Sequence, residues 1–247
     1  MSLPPPPPPP SPQGNPYAGA PAPWGAPPPP PPPARNKAGK VVAIVTGTVV
    51  AAAVVVGVVS YGERGEARRE VAEQGPDPQY KLTVPRTLLD GTYVRARDLS
   101  GPLAEQAGAK GIDMQSRTAA GGEYVTAAGT DRKALLVTGL SGRTADPVHD
   151  RDELLSGASN AQATTLSIAA KEFTPADSSE RVACEVLSTT RGSQVVSFPI
   201  CGWGDNGTVA TVMQTGSATT GSPDSVDLQA CANLTSRVRA QVRVALR

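Results

Sequence analysis

The spacing of apolar and polar positions divides the chain into three stretches. Residues 41–61, VVAIVTGTVVAAAVVVGVVSY, carry no charged side chain, and ten Val, one Ile and four Ala fill positions 41–59. A helix rises about 1.5 Å per residue, so about twenty apolar residues cross a hydrocarbon layer about 30 Å thick. A strand rarely exceeds about ten residues, and a core helix keeps a polar face. The run therefore predicts a transmembrane helix over residues 41–61. A cleaved signal peptide is the competing reading. It would need a 40-residue leader, and no A-x-A-like site follows in SYGERGEARRE. Ala43, Gly47 and Ala51 have the small-residue spacing of dimerising helices, a spacing that arises readily in so Ala- and Gly-rich a run.

Upstream, the pattern has no apolar period. Residues 4–10 and 27–33 are two runs of seven prolines. Such runs favour extended polyproline II and bury no core, so residues 1–40 are expected to be a disordered tail. It suits either docking into aromatic-lined grooves or a semi-rigid spacer. Residues 62–79 are polar, mixed in charge and closed by Gly75-Pro76-Asp77-Pro78, which reads as a stalk.

From residue 80 onward, strand-like and helix-like patterns mix. Strands are expected at 80–84, 91–96, 111–116, 134–140 and 165–173, and at 123–128 after a Gly121-Gly122 turn. Asp98 and Pro102 open a short helix to about Ala107. Asp146 and Pro147 suit the N-cap and first turn of another, to about Leu155. The most specific geometry lies in residues 182–214. Gly192-Ser193 fits a two-residue type II′ turn. Counting outward from Arg191 and Gln194, Cys184 falls opposite Cys201 in a non-hydrogen-bonded pair, a spacing a disulfide accepts. Leu187 falls opposite Phe198 on the other face. Asn206-Gly207 has the type I′ signature and returns the chain as a third strand. Pro199 then meets Gln214 at the end of that ladder, where a missing N–H is tolerated. Residues 226–246 read as an amphipathic helix with Leu228, Cys231, Leu234, Val238 and Val242 on one stripe. The expected fold class is α+β: an antiparallel sheet ending in a disulfide-linked meander, plus a C-terminal helix over residues 80–247.

Charge and composition narrow the partners. Residues 80–247 hold 17 Lys/Arg and 17 Asp/Glu, so the domain lacks the basic excess of a nucleic-acid binder. Arg outnumbers Lys 17 to 6, a skew associated with high-GC bacterial genomes. Lys/Arg counts tie at the two ends of the apolar run, with Arg35, Lys37 and Lys40 facing Arg64, Arg68 and Arg69, so charge leaves the orientation open. The cysteines decide it. A Cys184–Cys201 disulfide needs an oxidising compartment, which puts residues 62–247 outside and the tail inside. Cys231 on the apolar stripe reads as a buried thiol. A disulfide from Cys231 to either of the other two is the alternative.

Catalytic signatures are missing: no G-x-S-x-G, HExxH, Walker A or G-x-G-x-x-G is present. His149, the single histidine, sits among the acidic residues of a helix start, which complement the helix dipole without any site. With one His and no CxxC, no metal or cofactor is expected. The matches to glycosylation sequons at Asn206 and Asn233 read as accidental.

Cys201-Gly-Trp203-Gly-Asp205-Asn-Gly-Thr208-Val209, preceded by Cys184, resembles a segment of uncharacterised actinobacterial (Streptomyces-like) single-pass membrane proteins with Pro/Gly-rich tails. The resemblance is specific over residues 184–212. It implies a paired cysteine, a C-x-W-x-D segment and a C-terminal helix in an outer domain, and it implies no activity. Cys231 departs from the paired-cysteine pattern. Trp203 and Asp205 then serve either structure, covering the disulfide and heading the turn, or binding. The reading that results is a single-pass cell-envelope protein of unknown biochemical role, N-terminus cytoplasmic, whose outer domain is a binding, sensing or structural module, with envelope proteins or another protein as partner. A membrane-tethered envelope enzyme and a scaffold recruiting cytoplasmic proteins through the tail are the alternatives.

Overall fold

A computed structural model of the chain describes residues 76–109, 117–127, 133–215 and 222–246. The proline-rich tail, the apolar run, most of the stalk and the strand expected at 111–116 lie outside the described residues. Among the described residues no helix is long and apolar enough to cross a membrane. The elements are β1 (Tyr80–Leu82), β2 (Thr87–Leu88), β3 (Tyr93–Asp98), α1 (Ser100–Ala109), β4 (Arg117–Thr126), β5 (Ala134–Gly142) and α2 (Pro147–Ser159). There follow β6 (Thr165–Phe173), β7 (Val182–Arg191), β8 (Gln194–Asp205), β9 (Thr208–Gln214), a 3-10 turn (Pro223–Ser225), α3 (Leu228–Val242) and β10 (Arg243–Ala245).

An antiparallel sheet runs in the order β2-β3-β4-β5-β9-β8-β7-β6. It is two meanders, β2 to β5 and β6 to β9, joined where β9 lies against β5. Successive strand residues point to opposite faces, and both faces of the centre are covered. On one face, Leu155 and Ala158 of α2 pack with Leu136, Phe198, Ile200 and Met213, and Leu103 of α1 and Leu154 of α2 pack with Ala119, Leu140 and Val209. On the other, Val238 and Val242 of α3 pack with Leu135, Trp203 and Val212. This double cover explains why β9 is buried at every position and shows no alternation.

The β7–β8 hairpin has the expected register, from Arg191 opposite Gln194 to Cys184 opposite Cys201, with Gly192 at φ 60°. Leu187 opposes Phe198 and both are core. The β8–β9 ladder ends at Ile200 opposite Met213, so Pro199 falls one place beyond it.

Three expectations are corrected. Asn206-Gly207 is not a type I′ turn, because only Gly207 takes a positive φ, 110°. Its carbonyls are engaged from outside: Gln79 N–H donates to Asn206 O at 3.3 Å and Gly142 N–H to Gly207 O at 2.9 Å, which fixes the peptide orientation. Gly121-Gly122 is no turn but lies within β4. A Cβ on Gly121 would stand 2.2 Å from Leu103 Cδ1, so the glycine admits α1 against the strand. Finally, the C-terminal helix stops at Val242, and Arg243–Ala245 pairs with β1. Arg243 leaves the helix in extended backbone, its guanidinium 3.9 Å from the centroid of the Tyr80 ring.

Candidate binding site between helix α2 and the edge hairpin

The C-x-W-x-D segment is an alternating stretch of β8. Cys201, Trp203 and Asp205 face α3, and Gly202 and Gly204 face α2. Cys184 and Cys201 form the disulfide, Cα atoms 4.0 Å apart, at the centre of a cluster with Leu228, Cys231 and Ala232. Disulfides form and persist in oxidising compartments, which fits an extracellular or envelope-exposed domain. Cys231 is a free, buried thiol. Burial first, and then the charge of Asp227, push it up to about 11, so it stays protonated and inert. Trp203 lies in the neighbouring cluster with Val238 and Val242, its Nε1–H 3.3 Å from Thr208 Oγ1.

Asp205 is fully engaged by protein groups. Its Oδ1 accepts from Thr208 N–H at 3.1 Å and Thr208 Oγ1–H at 2.7 Å. Its Oδ2 accepts from Arg239 Nη2 at 2.7 Å and Arg243 Nη1 at 2.6 Å. Arg239 also pairs with Glu180. This constellation ties α3 and β10 to the β8–β9 turn and leaves no group turned toward a ligand.

A different place has such a group. A cavity of about 330 Å³ opens between α2 and the β6–β7 edge of the sheet, lined by Arg151, Asp152, Leu155, Leu166, Glu172 and Glu185 among others. That is within the usual range for small-molecule sites. Glu185 is 3% exposed, and its Oε1 is buried with no hydrogen-bond partner. Burial, and secondarily the charge of Asp152, raise its carboxyl to about 7. A buried charge without a partner is costly, so the fold tolerates this residue rather than gaining from it. Arg151, 4% exposed, does not answer Glu185. Its Nη2 lies 2.6 Å from Glu172 and 2.7 Å from Asp152, so its charge is already matched.

Strand geometry explains the opening. Val186 opposes Ile168 and Cys184 opposes Lys171, so Glu185 alone faces two residues of β6, Ala169 and Ala170. At this bulge, Ala170 lines the cavity beside Glu185. Lys171 also lines the cavity, from a position that opposes Cys184 rather than Glu185. Sequence reasoning missed Glu185 and Arg151. The available signal was an acid at an inward position of β7, between Ala183 and Leu187, on the face already defined by the Leu187–Phe198 pair.

His149 is exposed, with Nε2 3.8 Å from Glu153 at the start of α2 and outside this cavity's lining. Asp146 caps that helix, accepting from His149 N–H at 2.9 Å. Among the described residues no group of three or more His, Cys, Asp or Glu is placed to hold a metal ion.

No protein-family model and no curated protein matches the chain. A solved structure, that of LpqN, involved in cell envelope biogenesis of Mycobacterium tuberculosis, aligns at 12% identity over 70% of this chain and 86% of that one, with a TM-score of 0.32. That superposition is too loose to carry a role from one protein to the other.

Proposed function

We propose that this chain is a single-pass cell-envelope protein whose extracytoplasmic α+β domain is a binding module, with its site in the cavity beneath α2. Residues 41–61 are the membrane anchor, residues 1–40 the cytoplasmic tail and residues 62–79 the stalk. Trp203 and Asp205 serve structure. The observation that carries the binding role is Glu185, an unpartnered buried carboxylate in the wall of an open cavity. A buried, perturbed carboxyl in the wall of a cleft marks a candidate functional site. The nearby carboxylates of Asp152 and Glu172 are held by Arg151, so no second carboxylate is left to work as an acid–base pair with Glu185. Binding therefore accounts for the geometry better than catalysis.

The placement is tested by counting thiols. Cells expressing the full chain are quenched in acid, denatured, and alkylated with a polyethylene-glycol maleimide before and after reduction. One adduct without reductant, from Cys231, and three after it are expected for a domain that matures outside the cytoplasm. Three adducts without reductant would remove the envelope placement.

A further inference from the structure

The charges around the cavity do not cancel. From α2 come Arg151 and Asp152, from β6 Lys171 and Glu172, from β7 Glu185, two cations against three carboxylates, with the exposed Lys171 opposite Cys184 rather than Glu185. On β8 the residue opposite Glu185 is Ile200, which is uncharged. Arg151 lies within ion-pair distance of both Asp152 and Glu172. Two carboxylates thus share one guanidinium, and Glu185 Oε1 has no hydrogen-bond partner although Lys171 lines the same cavity. The remaining wall includes Leu155, Leu166 and Ala183. Only one carboxylate is uncommitted, which is too few for a divalent metal, since such ions take several oxygen ligands. A compact monovalent cation with an apolar stem matches both the charge and the wall. We propose that the cavity binds a primary ammonium group on an unbranched aliphatic chain, the nitrogen against Glu185 and the chain along Leu155 and Leu166.

This rests on the reading of the cavity as a binding site and adds the class of ligand. An ammonium beside Glu185 supplies the missing partner and turns a costly buried group into a charge-assisted hydrogen bond. The raised carboxyl gives the sign of the pH effect. Ionised Glu185 is required, so affinity rises with pH through about 7, and binding at pH 6 is expected to be about tenfold weaker than at pH 8.

The test is calorimetric titration of the full chain in neutral-detergent micelles with pentylamine, pentanoate and pentan-1-ol. Pentylamine should bind saturably at pH 8, and pentanoate should bind at least tenfold more weakly. Glu185→Gln keeps the side-chain volume and removes the charge, and should lose pentylamine by tenfold or more. Leu166→Trp fills the mouth from an exposed position and should lose it too, so the test holds even where Glu185→Gln fails to fold. Equal binding of pentylamine to Glu185→Gln, or no binding to the parent chain, would overturn the ammonium assignment. Saturable binding of pentan-1-ol or pentanoate in place of pentylamine, lost in Leu166→Trp, would overturn it while leaving the cavity a binding site.

Discussion

At the scale of single residues, Gly202 and Gly204 fill the two x positions of the C-x-W-x-D pattern. Their neighbours Cys201, Trp203 and Asp205 are specified by what they touch on the α3 side. The glycines are specified by what a side chain would strike on the other. A Cβ on Gly204 would stand 1.8 Å from Pro147 O, in the backbone of the first turn of α2. A Cβ on Gly202 would stand 3.2 Å from Arg151 Cγ, at the flexible stem of that side chain. Gly204→Ala is therefore expected to destabilise the domain by about 1–3 kcal/mol or more, since α2 must shift. Gly202→Ala should cost less, because the Arg151 stem can yield. Urea unfolding of the two variants distinguishes them, and equal, negligible losses would mean that α2 does not seat on this strand.

At the scale of elements, Asp205 joins a turn, a helix and a terminal strand. Its side chain is 12% exposed, and those of Arg239 and Arg243 are 7% and 19% exposed. Asp205→Asn takes the shared carboxylate from two poorly solvated guanidinium groups, leaving Arg239 only the exposed Glu180, and is expected to cost about 3 kcal/mol. Glu180, 49% exposed, should cost under about 1 kcal/mol when made Gln. Hydrogen exchange checks the geometry as well as the energy: amides of β1 and β10 should lose protection in Asp205→Asn and keep it in Glu180→Gln. The β7–β8 hairpin was legible in the sequence because a short turn propagates its register without tertiary help. The strand at 165–173 and the Asp146 cap were legible for the same local reason. The end of α3 was not, because Arg243 keeps a helical pattern and is turned out by Asp205, Tyr80 and a ladder with β1, all distant in sequence. The binding site was hidden more deeply. Its opening depends on a bulge in β6 and its chemistry on which neighbours Arg151 chooses, neither of which has a local signature.

At the scale of the whole molecule, the domain combines a disulfide in its core with an acid that the core does not satisfy. The disulfide constrains the unfolded chain and adds stability of about 3 kcal/mol. Glu185 subtracts some. Its folded carboxyl is raised to about 7 from an ordinary 4.5, so the folded state holds its proton more tightly than the unfolded state. Its contribution is therefore most favourable below 4.5 and falls as pH rises to about 7, at about 1.4 kcal/mol per unit. A domain of this kind gives up stability at neutral pH at the place where a cation can restore it. The most direct measurement is the carbon-13 titration of the Glu185 side-chain carboxyl in the full-length protein, assigned by its disappearance in Glu185→Gln. A midpoint near 7 in the ligand-free protein, moving down when pentylamine is added, is the expected result. A ligand-free midpoint at the ordinary 4.5 would show a carboxylate already partnered or solvated, and would contradict the account.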